Sequence, residues 1–313
     1  MVQKQIAIYG KGGIGKSTVS SNVAVAMASL GKRVMLVGCD PKQDSTMALS
    51  GGRLLPSVLE CMLERGEANV HLEDVCFEGP YGMTLVESGG PDPGVGCAGR
   101  GVITAFEILD KLKAFERFGT EVVIYDVLGD VVCGGFAMPL RRGYAKEVYL
   151  VTSGEMMALY AANNICRAIH RFARGSNVHV GIGGLILNSR NVPYEEEQVA
   201  HLAQLLGVRV AARVPRDTVV QQCEMRRESV ITGAPDSSLS KVFIELAQYM
   251  LENRTLDVPK PLTRQQIVNI ANEFEMTLDP TALPLAFSEP VATAGRFAEL
   301  PITEDRRDHD GRV

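Results

Sequence analysis

Residues 5–30, QIAIYGKGGIGKSTVSSNVAVAMASL, decide the fold of this chain. They begin with a short apolar run typical of a buried strand, pass through a glycine-rich turn and end in a segment of helical composition. Within them, GKGGIGKS (10–17) fits G-x-x-x-x-G-K-S/T, a phosphate loop, and lies between strand and helix as that motif requires. The backbone N–H groups of such a loop hold phosphate oxygens at a helix N-terminus. The stretch therefore predicts a nucleoside triphosphate site.

The side chains of the loop have separate expected roles. Lys16 would neutralise the β- and γ-phosphates, and the Ser17 hydroxyl would reach Mg²⁺. Lys11 is either a solvated charge or a lysine that crosses a dimer interface, because K-G-G-x-G-K-S/T resembles the deviant Walker A ATPases, which dimerise face to face over ATP. The candidate nucleotide-binding residues of the loop are Gly10, Lys11, Gly12, Gly13, Ile14, Gly15, Lys16, Ser17 and Thr18.

Apolar runs alternate with helix-like segments along the rest of the chain. Continuous Val/Ile/Leu strands separated by helices are typical of an α/β protein with a mostly parallel sheet. We therefore expect a P-loop NTPase fold over residues 1–276, a mostly parallel sheet flanked by helices. The strand-like runs after the first are 33–40, 83–88, 121–126, 146–153, 180–189 and 208–215, and the further helix-like segments include 105–115, 155–173 and 194–206.

Residues 277–313 differ in character from the rest. They are rich in proline and lack clear periodicity, so we expect a C-terminal tail that is extended or partly disordered. An arm that becomes ordered on a partner subunit is the alternative.

The composition excludes several classes of protein. The chain has 313 residues, 46% of them hydrophobic, and a formal net charge of −5, so nothing points to a nucleic-acid partner. The sequence contains no run of about 18 apolar residues, so no membrane-spanning helix is predicted. The first strand-like run starts at residue 5, which leaves no room for a signal peptide. We expect a cytoplasmic protein.

Four aspartates follow two of the predicted strands. Asp40 and Asp44 come after RVMLVGC, and Asp126 and Asp130 lie in YDVLGD. Carboxylates just beyond parallel strands face the ligand crevice. Asp126 is then the Walker B carboxylate near Mg²⁺, Asp40 would orient or activate the attacking water, and the other two would sense the γ-phosphate. A helix cap is an alternative for any one of them. The candidate catalytic residues are Lys11, Asp40 and Asp130.

Two lone cysteines, Cys97 and Cys133, lie in glycine-rich contexts, GVGCAGRG and VVCGGF. Two thiols cannot supply the four ligands of a 4Fe–4S cluster, but a twofold dimer of such chains can. Two small buried cysteines are the alternative. The chain has seven cysteines and no CxxC, so neither a disulfide framework nor a zinc knuckle is expected.

At GKGGIGKST, VGCDPKQDST, ESGGPDPGVGCAGRGVITA and YDVLGDVVCGGFAMP the sequence closely resembles the nitrogenase iron protein family, from about residue 4 to 275. The resemblance implies a homodimer bridged by one 4Fe–4S cluster, with MgATP and MgADP as the nucleotides. Such a protein passes single electrons from a low-potential ferredoxin or flavodoxin to a larger catalytic metalloprotein.

The resemblance also implies residue roles. Lys11 would act in trans on the nucleotide of the other subunit, and Cys97 and Cys133 would be the cluster ligands. Arg100 matches an arginine that is an ADP-ribosylation target in some members. The residues expected around adenosine are Asn188, Pro215, Asp217, Gln221 and Glu224.

Some features depart from the family. Residues 51–82, a region through which members contact their partners, match loosely, and Leu85 stands where many members have cysteine. The alternative function is therefore the reductase of a nitrogenase-like system that acts on tetrapyrroles or methylthio-alkanes. More distant alternatives are a positioning ATPase and an iron–sulfur scaffold ATPase. A positioning ATPase should show a basic surface or a terminal amphipathic membrane helix, and neither is evident in this sequence. An iron–sulfur scaffold ATPase commonly uses a CxxC pair, which this sequence lacks.

Overall fold

A computed structural model of the chain describes residues 2–90, 98–128, 140, 144–175 and 180–275. Within these, the side chains of residues 98–100, 271, 272, 274 and 275 are not described. Met1–Phe274 form one compact unit and Glu275–Val313 a second, of which only the backbone of Glu275 is described. The predicted tail, 277–313, therefore lies outside the described residues.

The described residues contain one eight-stranded sheet, in the order β3-β4-β2-β5-β1-β6-β7-β8. All neighbouring strands run parallel except β3 and β4, which are antiparallel. The predicted mostly parallel α/β fold is thus confirmed. The strands are β1 (Lys4–Gly10), β2 (Val34–Cys39), β3 (Phe77–Glu78), β4 (Thr84–Glu87), β5 (Val122–Val127), β6 (Glu147–Thr152), β7 (Gly181–Asn188) and β8 (Val210–Val214).

Helices cover both faces of the sheet. Alternate residues of β1 enter different apolar clusters, Ile6 and Ile8 in one and Ala7 and Tyr9 in the other, as expected for a strand buried on both faces. The described α-helices are Lys16–Ser29, Val58–Arg65, Leu72–Val75, Ala98–Lys111, Ala114–Arg117, Met156–Gly175, Glu195–Leu206, Thr218–Met225, Val230–Gly233, Ser238–Glu252 and Arg264–Glu275, with 3₁₀ turns at Glu67–Asn69 and Pro80–Gly82. Across the part of the chain that the structure describes, no helix has the length and apolar character needed to cross a bilayer.

Two of the differences between the structure and the sequence-based prediction concern β3 and the predicted helix 105–115. β3 was not expected, because a two-residue strand leaves no periodic signal and exists through its pairing with β4. The predicted helix 105–115 instead spans Ala98–Lys111, and a separate short helix follows at Ala114–Arg117. The break comes at Lys113, whose φ of 53° is left-handed and cannot continue an α-helix.

Candidate nucleotide-binding site

The phosphate loop joins the end of β1 to the helix that begins at Lys16. Gly13 and Gly15 have φ angles of 73° and 91°, a left-handed backbone that favours glycine. Asn188 Nδ2 donates to the Ile14 carbonyl at 2.6 Å, and the Arg190 guanidinium donates to the Gly13 carbonyl. No side chain in the described part of the chain caps the helix at Gly15. The first-turn N–H groups can therefore bind an anion.

An ion pair between Lys16 and Asp126 lies beneath this loop. The Lys16 Nζ–Asp126 Oδ1 distance is 2.5 Å, and the two side chains are 7% and 0% exposed. Ser20 Oγ donates to the same carboxylate oxygen at 2.9 Å. Burial alone would raise the pKa of Asp126, but the charge of Lys16 and the hydrogen bonds outweigh it, so that pKa lies below its ordinary value. Asp126 is therefore a charged carboxylate at the carboxyl end of β5.

The two aspartates after β2 lie at the same edge of the sheet. Asp40 is buried, and its Oδ1 accepts from the Lys42 amide at 3.0 Å, so it also closes a turn. Asp44 is exposed and lines, with Ser17, a cleft of about 490 Å³. The fourth predicted carboxylate, Asp130, lies outside the described residues. Three of the four thus lie around the phosphate loop, and their catalytic and switch roles stay predictions.

Glu87 is a further carboxyl group at this edge, and the sequence analysis does not predict it. Glu87 is the last residue of β4 and is fully buried. Gly38 of β2 pairs in register with Glu87 on one side and with Asp126 on the other. Burial raises the pKa of Glu87 to about 8, and the charges of Asp126 and Asp44 add to that effect, while hydrogen bonds from Thr46 oppose it. Its one signal in the sequence is a glutamate that directly ends the apolar run MTLV.

The residues expected around adenosine do meet in space. They line a cleft of about 210 Å³ together with Gly13, Gly15 and Thr18 of the phosphate loop and its helix. Asp217 Oδ1 accepts from the Val219 amide and so also caps a helix, which makes part of its role structural. The set that lies together is Asn188, Pro215, Asp217, Gln221 and Glu224. That this cleft binds the nucleoside stays a prediction.

Lys11 lies on the outer side of the phosphate loop. It lines a cleft of about 370 Å³ together with Arg190, Arg216 and Glu155. Three cations and one anion give this cleft a positive balance suited to a phosphate. The arrangement is compatible both with a solvated lysine and with a lysine that reaches the nucleotide of another chain.

Both predicted cluster ligands, Cys97 and Cys133, lie outside the described residues, as does the side chain of Arg100. The flanks of the segment 91–97 are described and are close together, since a Cβ on Gly101 would be 3.3 Å from the Gly90 Cα. The segments after β4 and β5 leave the same edge of the sheet, with only β2 between them. The five described cysteines, Cys39, Cys61, Cys76, Cys166 and Cys223, are free and buried.

Comparison with known proteins gives matches over most of the chain. The family described as "4Fe-4S iron sulfur cluster binding proteins, NifH/frxC family" matches residues 4–277. The chain is 51% identical over 276 residues to a nitrogenase iron protein of Methanospirillum hungatei JF-1, which covers 88% of this chain and 98% of that protein.

Solved structures are similar in fold at lower sequence identity. The septum site-determining protein MinD of Pyrococcus horikoshii OT3, complexed with Mg-ADP, has a TM-score of 0.62 and 19% identity over 80% of this chain and 97% of that one. A ParA family ATPase of Chlorobium tepidum TLS has a TM-score of 0.62 and 19% identity over 80% and 99% of the two chains. These likenesses concern the fold alone.

Proposed function

The chain belongs to the NifH/frxC family of 4Fe–4S iron–sulfur cluster binding proteins, and on that premise we propose that it is the ATP-dependent reductase component of a nitrogenase or nitrogenase-like system. MgATP hydrolysis would gate the delivery of single electrons to a larger catalytic metalloprotein. The observation that carries this proposal is the 51% identity to a nitrogenase iron protein over 98% of that protein's length.

The phosphate loop fits the triphosphate of MgATP. The N-terminus of the helix at Lys16 has no side-chain cap among the described residues, so its backbone N–H groups would bind phosphate oxygens, and Ser17 in its first turn would reach Mg²⁺. Lys16 is bound to Asp126 at 2.5 Å, so a phosphate has to compete with this carboxylate for the lysine. Transfer of Lys16 to the phosphate would leave Asp126 free to act as a carboxylate near Mg²⁺. Nucleotide binding thereby changes the charge balance at the end of β5.

The iron–sulfur cluster supplies one-electron chemistry when it is bound, and Cys97 and Cys133 from each of two chains would hold it. The common edge from which the segments after β4 and β5 leave supports this assignment. Asp126 is the penultimate residue of β5 and lies seven residues before Cys133, so a change at the nucleotide would have only a short stretch of sequence to cross to reach this cysteine. In the dimer, Lys11 would bind the nucleotide of the opposite chain.

The catalytic partner would dock on the face that carries residues 51–82. Leu54 and Leu63 in this segment are 69% and 70% exposed and would offer apolar side chains to such a partner. A low-potential ferredoxin or flavodoxin as electron donor, and a cytoplasmic location, complete the proposal.

The substrate is reduced on the partner, so the nitrogenase-like tetrapyrrole and methylthio-alkane systems are the alternative. Leu85, which stands where many family members have cysteine, is a fully buried core residue in β4 that packs against Gly79. The substitution therefore fills space in the core and is no argument for either branch. A positioning ATPase of the MinD or ParA type shares the fold but leaves Cys97 and Cys133 unexplained.

The test is anaerobic purification of the full chain, followed by iron quantitation and electron paramagnetic resonance (EPR) of the dithionite-reduced protein with and without MgATP. We expect about four irons per dimer and a reduced-cluster signal that changes when MgATP is added. Anaerobic protein without iron would contradict the electron-transfer function and leave a dimeric ATPase.

Cysteine variants test the ligands. Cys97→Ser and Cys133→Ser should each lose the reduced-cluster signal and most of the iron. Cys166→Ser is the matched control, because Cys166 is a buried free thiol in the helix Met156–Gly175, far along the chain from both glycine-rich segments. A Cys97→Ser protein with a full iron content would show that the ligand assignment is wrong.

A further inference from the structure

Glu87 is a buried carboxyl group that the nucleotide chemistry above does not use. Its Oε1 accepts from the backbone N and from the Oγ1 of Thr46, both at 2.8 Å. Its Oε2 is buried and has no hydrogen-bond partner among the described residues. Burying a carboxyl group with one oxygen unpaired costs free energy. The two hydrogen bonds from Thr46 offset part of this cost.

The backbone under Glu87 is firmly fixed. The next residue, Ser88, donates both its backbone N and its Oγ to the Gly38 carbonyl, each at 2.8 Å. Gly38 also leaves the room that the carboxyl group occupies, because a Cβ there would be 2.6 Å from Cδ of Glu87. Glu87 is thus anchored to the central strands, and only its carboxyl group reaches out of the sheet.

Thr46 ends the segment 40–46, which carries Asp40, expected to orient or activate the attacking water, and Asp44, expected to sense the γ-phosphate. Asp40 closes a turn at the start of this segment through the Lys42 amide, and Thr46 is bound at its end by Glu87. Between these two fixed points Asp44 is exposed beside Ser17 on the 490 Å³ cleft. The place of Asp44 relative to the phosphate loop therefore depends on where Thr46 is held.

We propose that Glu87 is a positioning residue for nucleotide discrimination, which holds Thr46 and thereby sets the place of Asp44 beside Ser17 and the phosphate loop. This role rests on the ATP-dependent function proposed above and goes beyond it, because it assigns to Glu87 the difference between MgATP and MgADP binding. Glu87 does not touch the nucleotide; it acts through Thr46.

The charge state of Glu87 supports this role and decides the design of the variants. The charged groups that face it are Asp126 on β5, across Gly38, and Asp44 on the segment that it holds. Burial and these charges raise the pKa of Glu87 to about 8, which favours its protonated form at neutral pH. Glutamine is then a close mimic, since its amide oxygen can accept both bonds from Thr46. Alanine removes the acceptor.

The test is the affinity of the dimeric protein for MgATP and for MgADP at pH 7, measured by titration calorimetry on wild type, Glu87→Gln and Glu87→Ala. We expect Glu87→Ala to weaken MgATP binding about tenfold more than MgADP binding, the factor that corresponds to roughly one net hydrogen bond. Glu87→Gln should keep the wild-type ratio within about threefold. A purely structural role would weaken both nucleotides equally.

Thr46 provides a second pair of variants in case Glu87→Ala does not fold. Thr46→Val removes the hydroxyl donor at nearly constant volume, and Thr46→Ser retains it. The shift in the ratio should occur in Thr46→Val and be absent in Thr46→Ser. Equal ratios in these two variants, or an unchanged ratio in Glu87→Ala, overturn the positioning role alone. A wild-type protein that binds neither nucleotide overturns the proposed function as well.

Discussion

Replacing Lys16 by methionine should destabilise the fold as well as remove a phosphate ligand. Methionine retains the apolar stem of the side chain and deletes the ammonium group. Asp126 is then left fully buried, with the Ser20 hydroxyl at 2.9 Å and the hydroxyls of Ser17 and Ser45 as the donors that still stabilise its charge. Removing one member of a buried ion pair generally costs about 3–5 kcal/mol. Because Ser20 still solvates the carboxylate, we expect about 3 kcal/mol.

The pH dependence of this loss follows from Asp126. In the wild type its pKa lies below the ordinary value, so the pair stabilises the fold above the unfolded-state pKa and loses that effect as pH falls through the folded-state pKa. In Lys16→Met, burial is no longer opposed by the lysine charge, and the pKa of Asp126 should rise. The carboxyl group can then be neutralised at mildly acidic pH, so the deficit should be smaller at pH 5 than at pH 7.5.

The assay is urea denaturation without added nucleotide at both pH values, supported by a thermal melt. A loss of about 3 kcal/mol corresponds to a fall in Tm of roughly 6–12 °C. The control is Lys241→Met, which changes an exposed lysine on the helix Ser238–Glu252 and should stay within about 0.5 kcal/mol of wild type. A Lys16→Met protein within about 1 kcal/mol of wild type at pH 7.5 would refute the view that this pair is buried and strongly coupled.

Three further predictions concern other parts of the described chain. Gly15→Ala should weaken MgATP binding by about tenfold or more, because the φ of Gly15 is 91° and a Cβ there would overlap the Asn188 amide. The control is Gly31→Ala, where φ is 82° but the space around the added Cβ is open. This variant should cost about 1 kcal/mol of stability and leave nucleotide binding, measured by calorimetry, unchanged. Glu87→Gln should gain stability relative to wild type as pH rises from about 5 to about 8, because the folded wild type keeps a proton that the unfolded state loses. Urea titrations should show a gain of at most about 1.4 kcal/mol per pH unit, and a difference in stability that does not change with pH would contradict this. Arg209→Gln should cost about 1 kcal/mol of stability in the same titration, because it breaks a partly exposed, bidentate salt bridge to Asp257 with bonds of 3.0 and 2.9 Å. A loss above about 3 kcal/mol would contradict this estimate.

The sheet could be predicted from the sequence because its signals are local. Each long strand is a continuous apolar run, and the observed bounds of β1, β2 and β5 lie within a residue or two of the predicted ones. β3 could not be predicted in this way, since two residues have no period and their hydrogen bonds come from β4. Strand order likewise depends on pairing between distant runs and is not contained in any one of them.

In the candidate site, too, residues of a contiguous motif could be predicted, whereas residues with distant partners could not. The phosphate loop is eight contiguous residues, so its motif can be read directly. Glu87 and Arg190 could not be assigned, because their partners lie far along the chain: Glu87 binds Thr46 across 41 positions, and Arg190 binds Gly13 across 177. A side chain that positions another residue leaves no pattern in its own neighbourhood. The residues expected around adenosine were placed by resemblance to a family, and the fold brings them to one cleft.

The bonds from Asn188 and Arg190 to the carbonyls of Ile14 and Gly13 have a consequence for kinetics. A loop whose peptide groups are already oriented by its own chain loses little conformational entropy when a ligand arrives, so its ordering does not slow capture. Since Lys16 is already paired with Asp126, it would have to leave this carboxylate before it could bind an incoming phosphate. We therefore expect the exchange of the ammonium group between two anions to be the slow event in association. In dissociation, Asp126 would be the anion to which Lys16 returns.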